Sequence, residues 1–163
     1  MAQDIRLAAI HLCDSVSRDL RGLPTLLNIY PGKVRCPLKP WYQKFVVFMV
    51  FERDEAQTQN ISFRVTAPSA SSEGEIEISS GGPYVDLHMT FSMLVPDDGE
   101  LAIDWKVGDG RWRKGARWSF VFPEKVKELK KSESDALKEF FTERMKVHEI
   151  LERIEVSSIS VKY

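Results

Sequence analysis

The chain has 163 residues, of which 43% are hydrophobic and 29% charged, with a formal net charge of −1. That length favours one domain with a core of its own, and the near-neutral charge gives no electrostatic case for nucleic acid or an anionic membrane as partner. Apolar runs stop well short of the roughly 20 residues that span a bilayer, and the start of the chain lacks the pattern of a signal peptide, being interrupted by Arg6 and His11. A cytoplasmic protein is expected, whose Cys13 and Cys36 stay as thiols rather than bridging to each other.

Ile5–Cys13 reads as a first strand with apolar side chains on both parities, so it belongs near the centre of a sheet. Ser17–Gly22 reads as a polar turn, and Leu23–Tyr30 as a second strand entered through Pro24. Gly32–Pro40 is expected to be a connection. Phe45–Phe51 is β-branched, aromatic and apolar on both parities, which predicts a strand buried on both faces. Gln59–Ala67 alternates as a half-exposed strand, Pro68–Gly74 reads as a small polar loop, and Glu75–Ser80 as a short strand. Tyr84–Val95 alternates again, and Pro96-Asp97-Asp98-Gly99 has turn chemistry. Glu100–Val107 and Arg111–Phe122 flank Gly108-Asp109-Gly110, a strong hairpin signal. About eight strands at short spacing predict a mainly β fold, an antiparallel β-sandwich over residues 5–122.

Beyond Phe122 the character changes. Residues 124–152 contain no Gly or Pro and are rich in charge. Ser132-Glu133-Ser134-Asp135 resembles a capping box, and Leu137, Phe140, Phe141, Met145 and Leu151 fall on one side of a helix. Residues 123–163 are therefore expected to form a helical extension, with a further strand at Ile159–Tyr163. Its apolar stripe would pack on the outer face of the sheet holding Phe45–Phe51, in its own chain or across a two-fold axis in a homodimer.

The pattern Ala9-x-x-x-Cys13-Asp14-Ser15-Val16, then Leu26-Leu27-Asn28-Ile29-Tyr30, then Val95-Pro96 and Gly99-x-Leu101, resembles a widespread bacterial and phage family of small β-sandwich proteins of unknown function. The resemblance covers about residues 5–122. Where that family usually has Gly-Lys before its second strand, this chain has Gly22-Leu23-Pro24. The resemblance implies a sandwich fold and carries over no catalytic residue.

Several local clusters invite chemistry. His11 and Cys13 share a strand face but stand too far apart for a nucleophile and its base, so Cys13 reads as core. His11, His88 and His148 have no metal-ligand spacing. Asp97, Asp98, Glu100 and Asp104 form an acidic patch, either a solvated turn, a calcium loop or an unrecognised hydrolytic site. Trp105, Arg111, Trp112, Arg113 and Trp118 interleave rings and cations, a pattern of core rings backed by wet-face cations or, with Tyr84, of a platform for sugars or single-stranded nucleic acid. With no phosphate loop, triad or cofactor fingerprint, no catalytic residue, metal or cofactor is expected. The reading favours a non-enzymatic interaction protein, with the ligand-binding platform as its rival.

Overall fold

A computed structural model of the protein describes residues 5–53, 58–78, 82–128, 130–133, 135, 136 and 139. The strands in chain order are β1 (Arg6–Cys13), β2 (Ser15–Arg18), β3 (Pro24–Leu27), β4 (Lys33–Arg35), β5 (Leu38–Lys39), β6 (Trp41–Glu52), β7 (Gln59–Thr66), β8 (Ser71–Ile78), β9 (Tyr84–Val95), β10 (Gly99–Val107), β11 (Arg113–Val121) and β12 (Lys127–Glu128). Two sheets make the sandwich, one ordered β1-β6-β9 and the other β4-β11-β10-β7-β8. Pairing is antiparallel except where β4 joins β11 and β12 joins β5.

The doubly apolar stretch lies at the centre of the smaller sheet. From β6, Phe45, Val47, Met49 and Phe51 are fully buried and meet the second sheet, where Phe45 packs edge-on against Phe120 at 5.7 Å and Phe51 against Trp105 at 5.2 Å. On the opposite parity Val46 and Phe48 are buried as well. Both faces are covered, as the absence of alternation requires.

One extra residue in β1 keeps its register. Leu7 pairs with Phe51 and Ile10 with Met49, although seven and ten differ in parity. The bulge at Ala8 absorbs the difference, so both residues face the core. A second bulge does the same in β11, where Ile103 faces Ala116 but Asp104 faces Lys114. Gly115 is the extra residue there, and a Cβ on it would lie 2.7 Å from the Ile103 carbonyl oxygen.

The elements depart from expectation in three places. Ser17 and Arg18, expected in the Ser17–Gly22 turn, belong to β2, because Ser15–Arg18 pairs with Pro24–Leu27 in a separate ribbon. The Gly32–Pro40 connection contains β4 and β5, and the loop at Pro68–Gly74 is largely strand, since β8 starts at Ser71 against Thr66. The chain past Phe122 is still tied to the sandwich through β12, and its helical residues begin at Lys131. The apolar stripe Leu137, Phe140, Phe141, Met145 and Leu151 and the strand expected at Ile159–Tyr163 lie outside the described residues. Among the described residues no helix is long and apolar enough to cross a membrane.

Leu87 and Phe120 are wholly buried on opposite walls of the core. Leu87→Ala and Phe120→Ala should each lower stability by about 3 kcal/mol, because truncation leaves a cavity that the sandwich only partly refills. Denaturant melts that moved by less than about 1 kcal/mol in both variants would contradict this packing.

Candidate interaction surface

The outer face of the smaller sheet is covered by the β2–β3 ribbon. β1 delivers the chain to the level of Val46, opposite Cys13, and β2 then turns back across the sheet. It crosses from β1 over β6 to β9, where Arg18 reaches Asp86, the residue paired with Val50. The two guanidinium bonds to Asp86 are 3.0 and 2.5 Å, and a third from Arg18 reaches the Gly22 carbonyl at 2.8 Å. The side chains of Arg18 and Asp86 are only 14% and 11% exposed. Removing either partner of so enclosed a pair strands the other charge, a loss on the order of 3–5 kcal/mol.

The other end of the ribbon is held by one carboxylate. Asp14 accepts hydrogen bonds from Asn28 Nδ2 at 2.7 Å, Tyr30 Oη at 2.5 Å and Gln43 Nε2 at 3.1 Å. Its own backbone N–H donates to Leu27 at 3.0 Å, while the Tyr30 N–H donates to Leu12 at 2.8 Å. Asn28 turns the chain with φ at 52°, a left-handed conformation that asparagine tolerates better than most residues. Burial, with the Asp14 carboxylate beside it, holds the Tyr30 phenol well above its ordinary range.

This anchored ribbon displays apolar side chains to solvent. Leu20 at its tip is 108% exposed by the standard reference, Leu27 57% and Ile29 53%, with Leu23 also exposed. Next to Leu20, Asp19 caps the turn by accepting from the backbone N–H groups of Arg21 and Leu23, both at 2.9 Å. These bonds and the Arg21 ion pair pull the Asp19 carboxyl below its usual range. The leucines are thus presented on a turn of fixed shape.

Two of the three tryptophans of the Trp-rich hairpin are buried. Trp105 and Trp118 are buried in the core, so neither presents an open ring face on which a sugar or base could stack. The Gly115 bulge reverses the expected parity, so Arg113 rather than Trp112 shares the sheet face of Trp105, and though exposed it sets its guanidinium 5.0 Å from the Trp105 ring. Trp112 is half-buried, with Arg64 at 4.2 Å and Lys106 at 5.3 Å from its centroid. Arg111 and Tyr84 are exposed, Tyr84 donating to Glu52 at 3.4 Å.

The acidic patch is spent on local partners. Asp97 meets Lys39 at 2.5 Å, Asp98 accepts from the Phe122 N–H at 2.8 Å, and Glu100 and Asp104 meet Arg117 at 3.7 and 2.6 Å. No group of three or more candidate metal ligands occurs among the described residues. Cys13 and Cys36 are both buried and unbridged. Burial raises the Cys13 thiol, with the Asp14 charge adding to it, and pushes Cys36 up to about 11, with a smaller contribution from Asp98.

The sequence patterns hid the anchor. In the sequence Asp14 stands out only beside Cys13 and within the family resemblance, and Arg18 and Leu20 only as residues of the Ser17–Gly22 turn, which is the available sign of an exposed tip.

No family model matches the chain, and no curated protein matches it. A solved structure, the C-terminal domain of wzt, is similar at 10% identity with a TM-score of 0.41, over 72% of this chain and 73% of that one.

Cys36 ionises near pH 9 when unfolded but only near pH 11 when folded, so its contribution to stability is intact below pH 9 and is lost as pH rises toward 11. The Tyr30 shift acts in the same direction at higher pH. Denaturant midpoints should therefore fall between pH 9 and 11, and Cys36→Ala should flatten that decline. A wild-type midpoint that stays level over this range would refute the assignment.

Proposed function

We propose that the protein is a non-enzymatic interaction protein that binds another protein through the β2–β3 ribbon. One observation carries the reading: Leu20, Leu23 and Leu27 are exposed on a ribbon fixed by Asp14 and by the Arg18–Asp86 pair, with Ile29 exposed just past its end. Exposed apolar side chains cost little singly, but a group of them on one rigid element marks a contact surface. Rigidity favours binding, since the ribbon needs little further ordering when a partner arrives.

The residues that carry the family resemblance, Asp14 and the run Leu26 to Tyr30, converge on this anchor, which supports membership of that β-sandwich family. Two buried, unbridged thiols suit a reducing, cytoplasmic setting. The partner on this reading is a protein, with a second copy of the chain the favoured candidate. The rival, a sugar or single-strand platform on the Trp-rich hairpin, has less support because two of its three rings are buried.

The double substitution Leu20→Asp with Leu23→Asp tests the reading. Neither side chain is in the core, so the thermal melt should be unchanged while association is lost. Association is read as dimer mass in light scattering and as co-purification of a partner from the source cells. Wild type and variant that behave alike in both assays would overturn the proposal.

A further inference from the structure

The strands β1 and β11 lie against each other on one side of the sandwich, and a seam runs between their edges. Half of that seam is already closed by an extended piece of this chain. Tyr30 bonds to the β1 edge at Leu12, and a few residues later β4 pairs in parallel with Ser119–Val121 of β11. An extended segment can therefore occupy the seam and bond to both edges.

The other half is open. From Arg6 to His11, β1 has β6 as its only strand neighbour among the described residues, and Arg113–Ala116 has only β10. A concavity of about 480 Å³ lies there, lined by residues 5–10 and by Trp105, Arg113, Lys114 and Gly115. Lining by consecutive residues means that the wall is the edge of β1 with its backbone groups, since one face would contribute only alternate residues. At the end of this wall Arg113 Nη1 donates to the Ile5 carbonyl at 3.0 Å, a side chain standing where a neighbouring strand's N–H would be. The Gly115 bulge opposite would meet Ile10 Cδ1 at 3.6 Å if it carried a Cβ, so glycine keeps this stretch of wall slim.

Charge then selects the occupant. Arg6, Arg113 and Lys114 surround the concavity, and among the described residues Glu52, bonded to Arg6, is the one acid that answers them. Asp104, across the strand pair from Lys114, is taken by Arg117 at 2.6 Å. Lys114 is exposed and has no carboxylate at ion-pair distance among the described residues.

We infer that the open half of the seam binds an extended, acidic segment of another protein. Its backbone adds to the β1 edge, in the manner of strand addition, and its carboxylates meet Lys114, while Arg113, on the opposite parity of β11, stays on the Ile5 carbonyl. Apolar side chains between the acids lie toward Leu7, Ile10 and Trp105. The site is separate from the β2–β3 ribbon and does not depend on the function proposed for it.

The test uses the full chain and an end-blocked fluorescent peptide, Thr-Val-Glu-Val-Asp-Val-Thr, beside a counterpart with lysine at both acidic positions. Binding of the acidic peptide should saturate with a dissociation constant at or below about 1 mM. Amide shift changes should concentrate on residues 5–11 and 113–116. The basic peptide should bind at least about tenfold more weakly. Lys114→Glu should weaken the acidic peptide by a similar factor, with Lys114→Gln giving a smaller loss in the same direction. N-methylation of alternate peptide residues should abolish binding in one of the two phases and spare it in the other. Absence of saturation, equal binding of both peptides, or shift changes elsewhere would overturn the inference. So would protection from exchange, without peptide, at those amides of residues 5–11 that do not bond to β6, which would mean that the chain itself fills the seam.

Discussion

The Asp14 carboxylate is the constraint on which the covered outer face depends. Three side-chain donors converge on it from β3's end, from Tyr30 and from β6. A carboxylate that accepts several bonds at a partly buried site is worth more than any one of them, because losing it leaves every donor unsatisfied. Without that carboxylate the Arg18–Asp86 pair would be the ribbon's main side-chain fastening to the sheet, and the cover on Val46, Phe48 and Cys13 would loosen.

The need for a cover follows from the composition of β6. A strand apolar on both parities has to be buried twice, and a two-sheet sandwich buries it once. The protein meets the second requirement with a short ribbon of its own chain, inserted between β1 and β4. That solution has a consequence. A ribbon only four residues wide in each strand can bury one face, so the side chains on its tip and outer side, Leu20, Leu23 and Leu27, face solvent. The exposed leucines and the buried Phe48 are two sides of the same device.

Much of this was legible in the sequence, and the reasons it failed elsewhere are physical. The double burial of Phe45–Phe51, the long alternation of Tyr84–Val95 and the hairpin at Gly108-Asp109-Gly110 are period-2 patterns with sharp ends, and the structure has those strands. The sequence points to a C-terminal helix, outside the described residues, as the cover on Phe48, and not to the ribbon, because Ser15–Arg18 has no apolar alternation long enough to read as a strand. Its Arg18 faces the sheet, which pattern reasoning cannot distinguish from a solvent-facing arginine. The Trp-rich hairpin was misphased for a different reason. A single extra residue at Gly115 exchanges the two faces of everything before it in the strand, so Trp112 and Arg113 traded places.

The most direct measurement is amide hydrogen exchange of the wild-type chain beside Asp14→Ala. The Asp14 and Tyr30 N–H groups, bonded to Leu27 and Leu12, report on the ribbon, and the β6 amides report on the sandwich. In wild type the two sets should both be protected. In Asp14→Ala the protection of the ribbon amides should collapse while β6 stays protected, since local opening no longer meets the carboxylate's resistance. Equal protection of the ribbon amides in the two proteins would contradict the account.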